Sequence, residues 1–136
     1  MSLEADGGFA LRVRVEPTDL DDQDHVNNVV YVRWVQDAAI AHWRALTTSE
    51  IQATVGWALL RHEIDYRAAA RLGDEVIVRT RVGHLEGITF ERLTDIRRAA
   101  DGRVLAESRT LWCPIDPRSG RPRRVCDVVR SLFSAV

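Results

Sequence analysis

From Phe9 to Val15 the side chains alternate, with Phe9, Leu11, Val13 and Val15 set against Ala10, Arg12 and Arg14. That period of two predicts a strand with one buried face, and Pro17 ends it because proline supplies no ladder donor. A polar stretch from Thr18 to His25 follows and cannot be a core strand. From Asn28 the period changes: Tyr31, Trp34, Val35, Ala38, Ala39, His42 and Leu46 recur at helical steps and share one broad face. Asn27 or Asn28 can cap this helix at its start, and Thr47 and Thr48 end it. Four strands are then expected, near Trp57–Tyr66, Glu75–Gly83, Ile88–Arg98 and Val104–Ile115. Arg71–Asp74, Glu86-Gly87 and Asp101-Gly102 supply the turns between them. A short terminal helix is expected near residues 125–133.

This order describes one α+β domain over residues 1–136, with its core near 9–125 and the short helix closing it. A curved antiparallel five-stranded sheet around one long central helix would bury that helix broadly and explain its small alanines. It would also leave an open edge, and such an edge invites a second copy. A homodimer or homotetramer is the physical expectation.

Bulk properties narrow the classes. With 19 basic and 20 acidic residues the net charge is -1, and every basic residue is arginine, which argues against a general nucleic-acid binder. No apolar run reaches the length of a membrane span, and the first eight residues carry neither a basic start nor an apolar core of a signal peptide. A cytoplasmic protein is the expectation. Cys113 and Cys126 are expected as reduced structural thiols, and the four histidines and two cysteines form no ligand pattern. No metal and no cofactor is therefore expected.

The unusual segment is Asp19–Asn28. Four carboxylates, Asp19, Asp21, Asp22 and Asp24, fall within six residues just before the helix. Helix starts favour negative charge and offer unpaired N–H groups, so capping and solvation explain part of the cluster. The same geometry brings a carboxylate to an amide-lined positive pocket. Thioester hydrolysis needs both: a carboxylate to activate water or attack directly, and N–H donors for the oxyanion. A free aspartate, with a pKa of about 3.9, is a weak base that burial beside other acids would strengthen.

The run Asp19-Leu20-Asp21-Asp22-Gln23-Asp24-His25-Val26-Asn27-Asn28-Val29-Val30-Tyr31 resembles a signature of 4-hydroxybenzoyl-CoA-thioesterase-like proteins. That signature reads Asp-x-Asp-x-x-x-His-Val-Asn-Asn-x-x-Tyr, and plant acyl-carrier-protein thioesterases carry a related segment. Ile64-Asp65-Tyr66, Leu72-Gly73-Asp74, Gly102 and the strand to Trp112 are similar to later parts of the family, so the likeness covers about residues 9–125. The resemblance implies a hot-dog fold and hydrolysis of an acyl-CoA, or of an acyl-carrier-protein thioester. By position it assigns the catalytic carboxylate to Asp21, as base or nucleophile, and the oxyanion donor to the Asn28 N–H. The plant branch adds Gln23 and His25. Two departures stand out: bacterial members often carry glycine where Asp24 stands, and a further plant-branch carboxylate falls near Ala69.

Each residue also has a plainer reading. Asp21 could be a solvated turn acid, His25 a hydrogen-bonding brace of the turn, Asn27 and Asn28 caps, and Tyr31 core packing. His42 reads as a satisfied core or interface histidine, whereas His62 and His84 lie in strands without partner spacing. Trp34 and Trp57 line an acyl tunnel or simply pack. Gln23, Asn27 and Tyr31 are the candidates for substrate contact. Coenzyme A phosphates call for surface arginines, among them Arg61, Arg67, Arg92, Arg97, Arg98 and the Arg121–Arg124 stretch. The alternatives to hydrolysis are a non-hydrolytic acyl-thioester binder and a hot-dog hydratase or dehydratase.

Overall fold

The computed structural model describes residues 2–4, 6–124 and 127–134. Six strands form one antiparallel sheet: β1 (Ser2–Leu3), β2 (Phe9–Arg14), β3 (Gly56–Tyr66), β4 (Glu75–Glu86), β5 (Thr89–Arg98) and β6 (Val104–Ile115). Their spatial order is β1-β2-β4-β5-β6-β3. The five expected strands are all present. The sixth, β1, is a two-residue addition to the edge of β2.

Helix α1 (Asn28–Leu46) lies across the sheet and buries Val30, Tyr31, Trp34, Val35, Ala38, Ala39 and His42. Val30, Tyr31, Trp34, Val35 and Ala38 pack with Val76, Val78, Ile96 and Ala106 from the sheet. Each large apolar side chain so enclosed contributes about 1.5–3 kcal/mol. The opposite side of α1 is exposed, and Val29 and Ile40 stand in solvent. Asn27 is the cap: its side chain accepts from the Val29 N–H at 3.1 Å.

Two features depart from the expected order. A six-residue helix α2 (Ser49–Thr54) follows α1, capped by the Thr48 hydroxyl. The strand that comes third in sequence does not pair with its successor. It crosses to the far side of the sheet and pairs with β6, from Gly56 opposite Ile115 to Tyr66 opposite Ala106. The register shifts between Leu59 and Arg61, and both Leu59 and Leu60 are exposed. Among the described residues the other edge of β3 pairs with nothing.

A second cluster closes the far end of the sheet. Helix α3 (Asp127–Ser134) sets Val129 and Phe133 against Val55 and Phe90, with Trp43, Trp57 and Trp112 around them. Cys113 is a buried free thiol. Val125, the expected start of the terminal helix, and Cys126 lie outside the described residues.

The concave face of β5 carries one surprise. Arg92, read from sequence as a surface arginine, shares the inward face of Phe90, Thr94 and Ile96 and is only 7% exposed. The strand's own period of two forces it inward. There its Nη1 donates to His42 Nδ1 at 2.8 Å and to the Thr80 hydroxyl at 3.1 Å.

Candidate active site

The Asp19–Asn28 segment folds into a tight turn held by its own first acids. Asp19 is buried: its carboxylate accepts the Glu16 N–H, pairs with Arg33 at 2.9 Å, and its carbonyl accepts the Asn27 N–H. That residue is fully engaged in holding the turn. Asp21 is half-buried, and only its Oδ1 is tied down, accepting from the N–H groups of Gln23 at 2.8 Å and His25 at 3.1 Å. Among the described residues nothing bonds its Oδ2.

Asp21 also exchanges backbone bonds around the loop. Its N–H donates to the His25 carbonyl at 2.7 Å, and its carbonyl accepts from the Asp24 N–H at 3.2 Å. To close this turn, Asp24 adopts φ 60. The left-handed region suits glycine, and aspartate is among the few side chains that tolerate it. The expected difference at this position therefore has a geometric cause.

Next to the turn, α1 begins. Val30 N–H returns to the Asn27 carbonyl and Val29 N–H to the Asn27 side chain, whereas the Asn28 N–H has no acceptor among the described residues. The Tyr66 hydroxyl, from the end of β3, donates to the Asn28 carbonyl at 3.0 Å. The Tyr31 hydroxyl accepts the Ala70 N–H at 2.9 Å, fixing the loop after β3, and burial raises its pKa. Asp21, Gln23, His25, Asn28, Tyr31, Tyr66, Arg67, Ala68 and Ala69 together line a cleft of about 420 Å³.

Of the sequence-derived candidates, this cleft gathers Asp21, Gln23, His25, Asn28, Tyr31 and Arg67. It does not include Asn27, which caps the helix, or Arg61, which pairs with Glu63 at 2.7 Å on exposed β3. Arg67 sits loosely between Asp65 and Glu107, each at 3.7 Å. Arg97 pairs with Asp95, and Arg98 with Asp74 and Asp101. Tyr66 and the Ala68–Ala69 backbone were missed as lining, because an exposed strand end and two alanines give no chemical signal. Ala69, where the plant-branch carboxylate would fall, does face this cleft. Among the described residues no group of three or more potential ligands could hold a metal.

A family model for the thioesterase-like superfamily matches residues 15–133. The chain belongs to the thioesterase-like superfamily. Solved structures agree on the hot-dog architecture. A thioesterase from Thermus thermophilus, complexed with coenzyme A and Zn, is 25% identical, with a TM-score of 0.83 over 93% of this chain and 92% of its own. A 1,4-dihydroxy-2-naphthoyl-CoA thioesterase from Synechocystis is 17% identical, with a TM-score of 0.82 over 95% and 97%. A 12:0-ACP thioesterase from Umbellularia californica is 18% identical and gives 0.79 over 92% of this chain and 49% of its own. No curated protein sequence matches the chain. Membership of this superfamily supports thioester hydrolysis as the class of activity. No helix among the described residues is long and apolar enough to cross a membrane.

Proposed function

We propose that this chain hydrolyses an acyl-CoA thioester to free acid and CoA, with Asp21 as the general base or nucleophile. The single observation behind the reading is that one cleft holds a carboxylate oxygen, Asp21 Oδ2, and a helix-start amide, Asn28 N–H, neither bonded among the described residues. In the base route Asp21 takes a proton from water as the water oxygen bonds the thioester carbon. The carbonyl oxygen becomes an oxyanion held by the Asn28 N–H. Collapse of this intermediate breaks the C–S bond and releases the thiolate, which needs no strong acid to leave. In the nucleophile route the carboxylate itself attacks, the C–S bond breaks to release the thiolate, and water then cleaves the resulting anhydride to free acid and the Asp21 carboxylate.

His25 and Gln23 fix Asp21 through their backbone N–H groups, and their side chains border the same space. Arg67 stands at the cleft with only long-range ion pairs, so it is the arginine best free to meet a CoA phosphate. The bare edge of β3 ends at Tyr66, beside the cleft. A homodimer joined at that edge would therefore bring the partner chain against the site.

The test is Asp21→Asn, assayed for free-thiol release from a panel of acyl-CoA esters. Loss of about 10²-fold or more in kcat with unchanged melting is expected. Full turnover in that variant overturns the assignment. A wild-type chain that binds acyl-CoA without releasing thiol overturns the hydrolytic reading altogether. An acyl group trapped on Asp21 in a single turnover would mark the nucleophile route.

A further inference from the structure

The second cluster encloses a feature that thioester chemistry at Asp21 does not use. Near the C-terminal half of α1, Ala39, Trp43, Trp57, Arg92, Trp112 and Phe133 line a separate pocket of about 70 Å³. Its walls are aromatic or aliphatic apart from the Arg92 guanidinium. Burial holds the Arg92 pKa at about 10, so the group stays charged at neutral pH. Only its Nη1 is used, by His42 and Thr80, and Nε and Nη2 have no acceptor among the described residues. Trp57, in the same wall, carries a buried Nε1–H that likewise lacks an acceptor.

His42 cannot neutralise the arginine. Burial and the neighbouring guanidinium lower its pKa to about 4, so the ring is neutral at pH 7. Its Nδ1 accepts from Arg92, which leaves Nε2 to carry the proton and donate to the Gly7 carbonyl at 3.1 Å. Thr80, Thr94 and Thr110 complete the polar surroundings with hydroxyls alone. A charge withdrawn from water is stable when it is paired, and here the described residues supply dipoles but no counter-charge.

We propose that this pocket is a binding site for a small monocarboxylate with a compact apolar body. Its carboxylate would bond the free edge of Arg92, and its body would lie against the Trp43, Trp57 and Phe133 rings. The size agrees: a space of about 70 Å³ suits a carboxylate and a short apolar stub rather than a long chain. A planar guanidinium with two adjacent free donors also matches a carboxylate bidentately. The site lies along α1 from the Asp21 cleft. Asn28 and Ala39 are 11 positions apart, about 16 Å of helix rise, so the proposal stands apart from the assignment of Asp21.

Three of the four tryptophans line the pocket, which gives a readout independent of turnover. Propionate and butyrate are titrated against wild-type protein at constant chloride, following tryptophan fluorescence and melting temperature. Propanamide and butanamide serve as neutral counterparts. Saturable changes for the acids, at least tenfold weaker for the neutral compounds, are expected. Ala39→Leu, which fills the pocket and keeps the charge, and Arg92→Met, which keeps the volume and removes the charge, should each weaken acid binding at least tenfold. Asp21→Asn should bind like wild type. Equal binding by acid and neutral compound, no saturation, or undiminished binding in Ala39→Leu overturns the site. Arg92→Met adds to that judgement only where it melts cooperatively.

Discussion

At the scale of single residues, roles divide by which atoms are already occupied. Asp19 and Asp21 stand two positions apart with the same side chain, yet one is consumed by Arg33 and two backbone groups and the other keeps an oxygen free. The sequence motif pointed to Asp21 by position, but the difference in occupancy is visible only in the fold. Asp24 gives a stability test. Because its φ is 60, Asp24→Gly should leave the turn intact and shift stability by no more than about 1 kcal/mol, measured by urea unfolding. Asp24→Val, unable to adopt that conformation without strain, should lose about 1–2 kcal/mol by the same measurement.

His42 gives a pH test. Its pKa falls from 6.5 to about 4 on folding, so between those values the unfolded chain binds the additional proton. Stability from this group is fully present above about pH 6.5 and is lost as pH falls toward 4, by on the order of 3 kcal/mol. Urea midpoints at pH 7 and pH 4.5 should separate more in wild type than in His42→Asn. Equal separations would remove His42 as the cause.

Among elements, the long periodic ones were legible and the short or non-local ones were not. Alternation located β2, β4, β5 and β6, and the helical face of α1 from Tyr31 to His42 matched its buried residues, because burial imposes those periods directly. Val30 is also buried, and Leu46 only partly so. Helix α2 has no buried residue, so no apolar rhythm announced it. The crossing of β3 to β6 was also hidden, since alternation fixes which face a strand buries and not which neighbour it chooses. Arg92 was misread for a related reason: a charged residue on a strand defaults to solvent, and only the parity of Phe90, Thr94 and Ile96 sets it inside. The start of α1 carries a measurable consequence. Asn27→Ala removes the bond to the Val29 N–H and should cost about 1 kcal/mol by thermal unfolding. It should also lower kcat, since Asn28 follows directly.

For the whole molecule, the question is what covers β3. An 11-residue strand whose outer edge is unpaired among the described residues, with Leu59 and Leu60 exposed, is a surface that soluble proteins ordinarily pair or protect. Light scattering should give the mass of a dimer or of a multiple of it. Leu60→Glu should shift that mass toward the single chain and lower thioester turnover with it. A fully active monomer would show that one chain completes the cleft alone. Sequence could raise this expectation through the open edge of a five-stranded sheet, but the identity of the edge required the topology.

The carbonyl that receives the His42 ring belongs to Gly7, and Phe9 stacks on the same ring at 5.6 Å between centroids. Gly7 and Phe9 are thus tethered to the interior. Trimming or tagging the chain ahead of Phe9 would tug on the imidazole that braces the sequestered guanidinium, so an edit made at the periphery would be felt beneath the tryptophans.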